Sequence, residues 1–314
     1  MLSRRALLSS ACLLSLLASL PVRAQASQEK LMPVVASFSI LGDIVQNVGG
    51  SRIALTTLVQ PGSDAHVYAP TPTDAKTVSE ARIVFSNGLK FEGWMTRLMQ
   101  SSASKARLVE ASKGIKQRIE PASHGHGATD KHGHDHGGLD PHAWQSIANV
   151  KIYVVNIRDA LTSADPAGKD AYAINADAYL QELDRTDTAI KALVATIPPE
   201  RRKVITSHDA FGYFAQAYGL SFIAPRGIST EAEASAKDVA KLILQIKKEK
   251  VPAVFIENIS DQRLIQQIAK DTGAKVGGTL YSDALSAADG PAPTYIRMMQ
   301  HNIKMLSEAL VPKS

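Results

Sequence analysis

Hydrophobic and polar positions run along this chain in two rhythms, and the switches between them mark its elements. Short β-branched runs at 33–38 (PVVASF), 53–59 (IALTTLV), 82–86 (RIVFS) and 107–111 (RLVEA) read as strands. Between them, stretches near 41–48, 73–80 and 91–103 carry helical spacing. Strands alternating with helices imply parallel pairing through crossover connections, hence an α/β lobe. A second series follows, with strands at 203–207, 221–224, 253–257 and 275–281 and helices at 210–218, 236–249, 260–272 and 294–310. Ser235-Ala236-Lys237-Asp238 opens the 236–249 helix as a capping box.

The most periodic stretch lies between the two series. After the N-cap pair Asp165-Pro166, residues Tyr172, Ala176, Tyr179, Leu183, Thr186, Ile190, Leu193 and Ile197 recur at alternating spacings of four and three, up to Pro198-Pro199. One apolar stripe on a helix of about 30 residues spans roughly 45 Å. That is long enough for a rigid strut joining two lobes, and an ordinary long core helix fits the same pattern. The expected fold class is therefore α/β, with two Rossmann-like lobes of parallel sheet joined by a long rigid helix. The expected organisation is an export signal at 1–26, an N-terminal lobe at 27–147, a linker region with the strut at 148–200, and a C-terminal lobe at 201–314.

Composition changes this picture at three places. The start, MLSRRALLSSACLLSLLASLPVRAQAS, has basic residues at Arg4 and Arg5, an apolar run from Ala6 to Leu20 and the small-residue pattern Ala24-Gln25-Ala26, which reads as a signal cut after Ala26. The general export route fits, and Arg4-Arg5 leaves the twin-arginine route open. No later stretch approaches the ~20 apolar residues of a membrane span, so the expected location is the periplasm. The one cysteine, Cys12, lies inside the signal and lacks an apolar residue three positions before it, which argues against a lipid anchor and leaves the mature chain without a thiol. Losing Arg4, Arg5 and Arg23 takes 35 basic residues to 32 against 30 acidic. A balance so near neutral is no footprint for nucleic acid, and a monomer is expected.

Nine histidines concentrate the candidate chemistry. Five of them, His124, His126, His132, His134 and His136, sit in a Gly/His/Asp tract within 121–138 that interrupts the regular pattern and reads as a surface loop. Of the other four, His301 falls in the last helix and reads as a surface residue, while three stand beside an aspartate: Asp64-Ala65-His66, Asp140-Pro141-His142 and His208-Asp209. Each of these three lies where an element gives way to a loop, and in open parallel sheets ligands bind outside the carboxyl ends of strands. Converging imidazoles suit a borderline-soft divalent ion, with the carboxylates holding the second ring N–H. A fourth ligand is needed for a tetrahedron: Asp283 follows the last strand, and Glu257 and Asp43 have comparable positions.

The segments PGSDAHVYAPTPTDAKTVSEARIVFSNGLKFEGW (61–94), LDPHAWQS (139–146), TSHDAFGYFAQAYGL (206–220) and YSDALS (281–286), with the histidine-rich insert between the first two, occur in an order that resembles the cluster A-I metal-binding solute-binding proteins of ABC transporters. The resemblance covers essentially the whole mature chain. It implies two lobes, a rigid connecting helix and one metal ion in the interlobe cleft, with His66, His142, His208 and Asp283 at the ligand positions. Histidine at the third position is similar to the zinc branch (ZnuA- and AztC-like), as is GISTEAEASAKDVAKLI (227–243) together with HGHDHGG. Zn2+ is thus the expected cargo, with Mn2+ or mixed use as the alternative. The implied partners are a membrane permease with its cytoplasmic ATPase, and a zinc metallochaperone that loads the protein. The five tract histidines are expected to bind metal weakly and pass it on, since ordering a glycine-rich loop costs about 1 to 2 kcal/mol per residue. Binding is expected to weaken as the histidines protonate around pH 6.

A zinc hydrolase is the rival from another class, but catalytic zinc keeps an open position for water. Four protein ligands leave none, and no HExxH helix is present.

Overall fold

The computed structural model describes residues 31–119, 138–231 and 233–312. Strands β1 (Met32–Phe38), β2 (Ile53–Val59), β3 (Ile83–Ser86) and β4 (Arg107–Glu110) form a parallel sheet in the order β2-β1-β3-β4. Strands β5 (Lys203–Ile205), β6 (Ser221–Ile223), β7 (Ala253–Glu257) and β8 (Lys275–Leu280) form a second in the order β6-β5-β7-β8. The winding is the same in both. In each, the chain goes to one side of its first strand and then returns to the other, which opens a crevice beyond the carboxyl ends of β1 and β3, and of β5 and β7. Strands β3 (IVFS) and β7 (AVFIE) are buried along their whole length, as central strands of a sheet covered on both faces must be. Glu257 is the one charge in these two strands, and it ends β7 at its crevice.

The helices are α1 (Ser39–Gly49), α2 (Pro72–Glu80), α3 (Met95–Ser101), α4 (Ile147–Ala164), α5 (Lys169–Ala195), α6 (Gly212–Tyr218), α7 (Ala236–Glu249), α8 (Gln262–Thr272) and α9 (Tyr295–Leu310). Helix α2 opens with a capping box of Thr71 and Asp74, and Ser235 caps α7 by accepting from Asp238 N. Helix α3 is shorter than its pattern predicts. Residues 88–90 all take positive φ (Gly88 84°, Leu89 55°, Lys90 63°), Phe91 and Glu92 after them are buried ahead of the helix, and Ala103 (φ 48°) leaves helical backbone at the other end.

The strut is α5, 27 residues and so about 40 Å long. It packs on α1 and α4 beside the first sheet and on α6 and α9 beside the second. Its buried stripe is Tyr172, Ala176, Tyr179, Leu183, Thr186, Ile190 and Val194. The last step lands on Val194, whereas Leu193 is 38% exposed, because a 3.6-residue turn drifts off an alternating four-three pattern. Nor does Asp165 cap the helix. A separate 3-10 turn, Pro166–Gly168, precedes it, and the Asp165 carboxylate instead accepts from Arg52 Nε (2.9 Å) and the Tyr172 hydroxyl (2.8 Å), clamping the entry to the strut. The signal at 1–26 and the tract histidines at 124–136 lie outside the described residues.

Candidate metal centre

Each of the three non-tract histidines next to an aspartate is held by a carboxylate, and local backbone dictates how. Beyond β2, the turn at Gly62 (φ 74°) leads to Asp64, whose Oδ1 accepts from His66 N at 2.9 Å. Asp140 repeats this side-chain turn, accepting from His142 N at 3.0 Å. Its Oδ1 also lies 2.9 Å from His142 Nδ1, so the ring presents Nε2 to the cleft. His208 follows β5. There Glu257, at the end of neighbouring β7, accepts from Ser207 N (2.6 Å) and His208 N (2.9 Å) through Oε1, while Oε2 stands 2.6 Å from His208 Nδ1 in an ion-pair contact. The sheet order places Glu257 beside β5, which makes a residue 49 positions away a local partner.

The fourth group is Asp283, on the loop after β8. Ligand atoms of His66, His142, His208 and Asp283 all lie within 4.8 Å of one another. His66 Nε2 faces His142 Nε2 at 3.3 Å; Asp283 Oδ2 lies 3.3 Å from His66 Nε2 and 3.1 Å from His208 Nε2, and Oδ1 lies 3.6 Å from His142 Nε2. His142, His208 and Asp283 are fully buried and His66 is 8% exposed. Phe91 packs edge-on against His66 (centroids 4.7 Å apart) and Trp144 against His142 (5.3 Å), walling the cluster with aromatic carbon. Asp283 Oδ1 is buried with no hydrogen-bond donor. Such an atom costs stability unless a cation meets it.

The cluster is strongly polarised. Burial disfavours the charged ring of His142, yet Asp283 and Asp140 beside it raise its pKa to about 9. His208 is likewise raised well above the usual imidazole range: burial opposes this, but Glu257 and Asp283 outweigh it. Burial would raise the Asp283 carboxyl, but His208 and His142 hold it well below the usual carboxylate range. In the absence of an ion, positive charge on His142 and His208 would offset the buried Asp283 carboxylate.

The Asp283 loop is fastened to the first half of the molecule. Ser282 O accepts from Trp144 Nε1 (2.9 Å) and Gln145 Nε2 (2.8 Å), Leu285 N donates to Ser39 Oγ (3.0 Å), and Leu285 O accepts from Gly62 N (2.9 Å). Asp43, one of the two residues with positions comparable to Asp283 in the sequence, lies outside the cluster. It sits in α1, and its Oδ2 accepts from Tyr295 N at the start of α9 at 2.8 Å. Burial pushes its carboxyl up to about 6 against that bond. Glu257, the other, sits behind His208 instead of among the four converging groups. His301 is half-buried, not a surface residue: its ring packs on Tyr281 and its Nε2 bonds Thr279 O (3.0 Å). A further buried carboxylate, Glu92, leaves no signal in the sequence. It accepts from Ser37 Oγ (2.5 Å) and Asn87 N (2.6 Å) at the first crevice, and burial raises it to about 7. Nothing in the run LKFEGW separates it from a surface glutamate.

Two equivalent α/β halves on a strut, with a buried nitrogen-and-oxygen cluster between their crevices, define a solute-binding protein for a metal ion. Residues 34–309 match the family described as ZnuA, zinc-uptake complex component A, periplasmic. The chain belongs to this family, whose members are the substrate-binding components of metal ABC transporters and not enzymes. It is 35% identical over 272 residues to the manganese-binding lipoprotein MntA of Halalkalibacterium halodurans, covering 87% of this chain and 86% of that protein. It is 32% identical over 279 residues to the iron-binding protein YfeA of Yersinia pestis, covering 89% and 86%. Among solved structures, the periplasmic zinc-binding protein TroA of Treponema pallidum superposes with a TM-score of 0.81 at 29% identity, covering 90% of this chain and all of that one. No helix among the described residues is long and apolar enough to cross a membrane.

Proposed function

We propose that this protein captures Zn2+ in the periplasm through His66, His142, His208 and Asp283, and delivers it to a membrane permease driven by a cytoplasmic ATPase. The observation that carries the reading is the buried meeting of imidazole Nε2 atoms with the unpartnered Asp283 oxygen. A tetrahedron with zinc bonds of about 2.0–2.2 Å has edges of roughly 3.3–3.6 Å. The His66–His142 separation of 3.3 Å and the separations of Asp283 Oδ2 from His66 and His208, 3.3 and 3.1 Å, are close to that. Three imidazoles and one carboxylate also suit zinc better than a harder ion. Manganese is the second reading: both oxygens of Asp283 face imidazoles, so the carboxylate can supply two donors and widen the coordination. The relatives named for manganese and iron are consistent with either. Metal analysis of protein recovered from the periplasm, together with growth of a strain lacking it, tests the choice. Zinc content and a growth defect relieved by zinc are expected; manganese in both assays overturns the zinc reading.

The tract histidines His124, His126, His132, His134 and His136 act, in this proposal, as a weak first receiver from medium or metallochaperone. Deleting residues 124–136 is expected to leave the tight zinc site intact and slow its loading. Unchanged loading rates remove this role.

A further inference from the structure

His142 and His208 are backed by carboxylates in different ways. Glu257 is fixed by backbone N–H groups of its own half, those of Ser207 and His208. Asp140 Oδ1 accepts from His142 N (3.0 Å) and meets His142 Nδ1 at 2.9 Å, while its Oδ2 takes an ion pair from Arg118 Nη1 at 2.9 Å. Arg118 and Asp140 stand at the two ends of the histidine-rich tract. They are joined by a backbone bond from Asp140 N to Arg118 O (2.9 Å) and by the antiparallel bridge of Ile119 with Leu139.

The same arginine reaches across to the second half. Arg118 N donates to the Tyr213 hydroxyl of α6 at 2.9 Å. Its guanidinium lies against Gly212, the first residue of α6, so closely that a Cβ there would fall 1.8 Å from Nη1 and 2.7 Å from Asp140 Oδ2. Glycine at 212 is therefore what lets the ion pair seat on α6. That helix follows directly on the loop that carries His208.

We infer that Arg118 is a positioning residue for metal capture: seated on the first turn of α6, it fixes the Asp140 carboxylate and through it the ring plane of His142. With one oxygen committed to Arg118, the carboxylate cannot swing away from His142 Nδ1. His208 keeps its orientation wholly from within its own half, whereas the carboxylate behind His142 is held by the His142 backbone N–H on one oxygen and, on the other, by an arginine seated at a contact between the halves. The inference rests on the proposal that His142 is a ligand.

The test compares Arg118→Met, Arg118→Lys, Gly212→Ala, Asp140→Asn and the Arg118→Met/Asp140→Asn double variant in the full mature chain. Zinc affinity is read by chelator competition, and site geometry by the visible absorption of the Co2+ form. Outer-layer partners of metal-bound histidine typically change affinity 10–100-fold. Acting through Asp140, Arg118→Met is expected at the low end, about tenfold weaker, with an altered Co2+ spectrum that Arg118→Lys largely restores. Gly212→Ala, which displaces the guanidinium from the opposite side, is expected to reproduce Arg118→Met, and the double variant to be no weaker than Asp140→Asn alone. Wild-type affinity and spectrum in Arg118→Met, or full additivity with Asp140→Asn, overturns the inference. His142→Ala separates the two layers. Full affinity there sinks the ligand assignment and this inference together, whereas a crippled His142→Ala beside an unaffected Arg118→Met sinks the inference alone.

Discussion

Asp283→Ala is expected to weaken zinc binding by a factor of about 100 to several thousand. The figure comes from removing one partner of a buried charge pair, about 3–5 kcal/mol, at 1.4 kcal/mol per factor of ten. Asp283 is the only carboxylate in the four-residue cluster, and both its oxygens face imidazoles. Without it, a divalent ion would sit in a buried site with neutral nitrogen donors and no directly bound negative charge. Asp283→Asn, which keeps an oxygen donor and removes the charge, is expected to fall between alanine and wild type. The loop itself should survive, because its attachments run through Ser282 O, Leu285 N and Leu285 O and none uses the Asp283 side chain. Chelator competition gives the affinity, and the melting temperature of the metal-free variant checks the fold. Binding within threefold of wild type in a folded Asp283→Ala protein would end the four-ligand reading.

Much of this arrangement is legible in the sequence alone. Alternating strand and helix patterns, with a stripe from Tyr172 to Ile190 between them, gave the two α/β halves and the strut, because burial of one face leaves a period in the sequence. The three non-tract histidines next to aspartates stood out for a physical reason too: for His66 and His142, an aspartate two residues upstream can bond the histidine backbone, a local device visible as Asp-x-His. The choice among Asp43, Glu257 and Asp283 was not legible from strand ends alone, since all three follow or end a strand. Their difference is made by sheet order, which sets Glu257 beside β5, and by a loop that crosses from β8 to the first half. Arg118 and Glu92 were invisible for the same reason. Their roles arise from tertiary neighbours at Asp140, Gly212 and Ser37, and leave no periodic or local trace.

Zinc loading is expected to expel protons at neutral pH, about two per ion, with an apparent affinity that keeps rising toward pH 9. Unperturbed histidines would stop competing near pH 6.5, close to the pH 6 expected from the sequence alone. In the folded site, however, Asp283 and Asp140 hold His142 protonated up to about 9 against the cost of burial, and His208 is raised in the same direction by Glu257 and Asp283. An ion entering the cluster must displace those protons from the Nε2 atoms that face Asp283. With one to two protons exchanged, affinity should change roughly ten- to a hundredfold per pH unit below the raised pKa values. The same linkage has a fixed sign for the metal-free fold. Groups whose folded pKa is raised contribute stability that is complete below their unfolded value, near 6.5, and that is lost as pH climbs through about 9 for His142. The metal-free protein should therefore melt at a lower temperature at pH 9 than at pH 7 from this source, while the zinc-induced rise in melting temperature grows. Calorimetric zinc titrations at pH 7 in two buffers of different ionisation enthalpy count the protons directly. A count near zero would mean that the cluster holds its carboxylates without imidazolium partners, and the electrostatic account of the site would have to be abandoned.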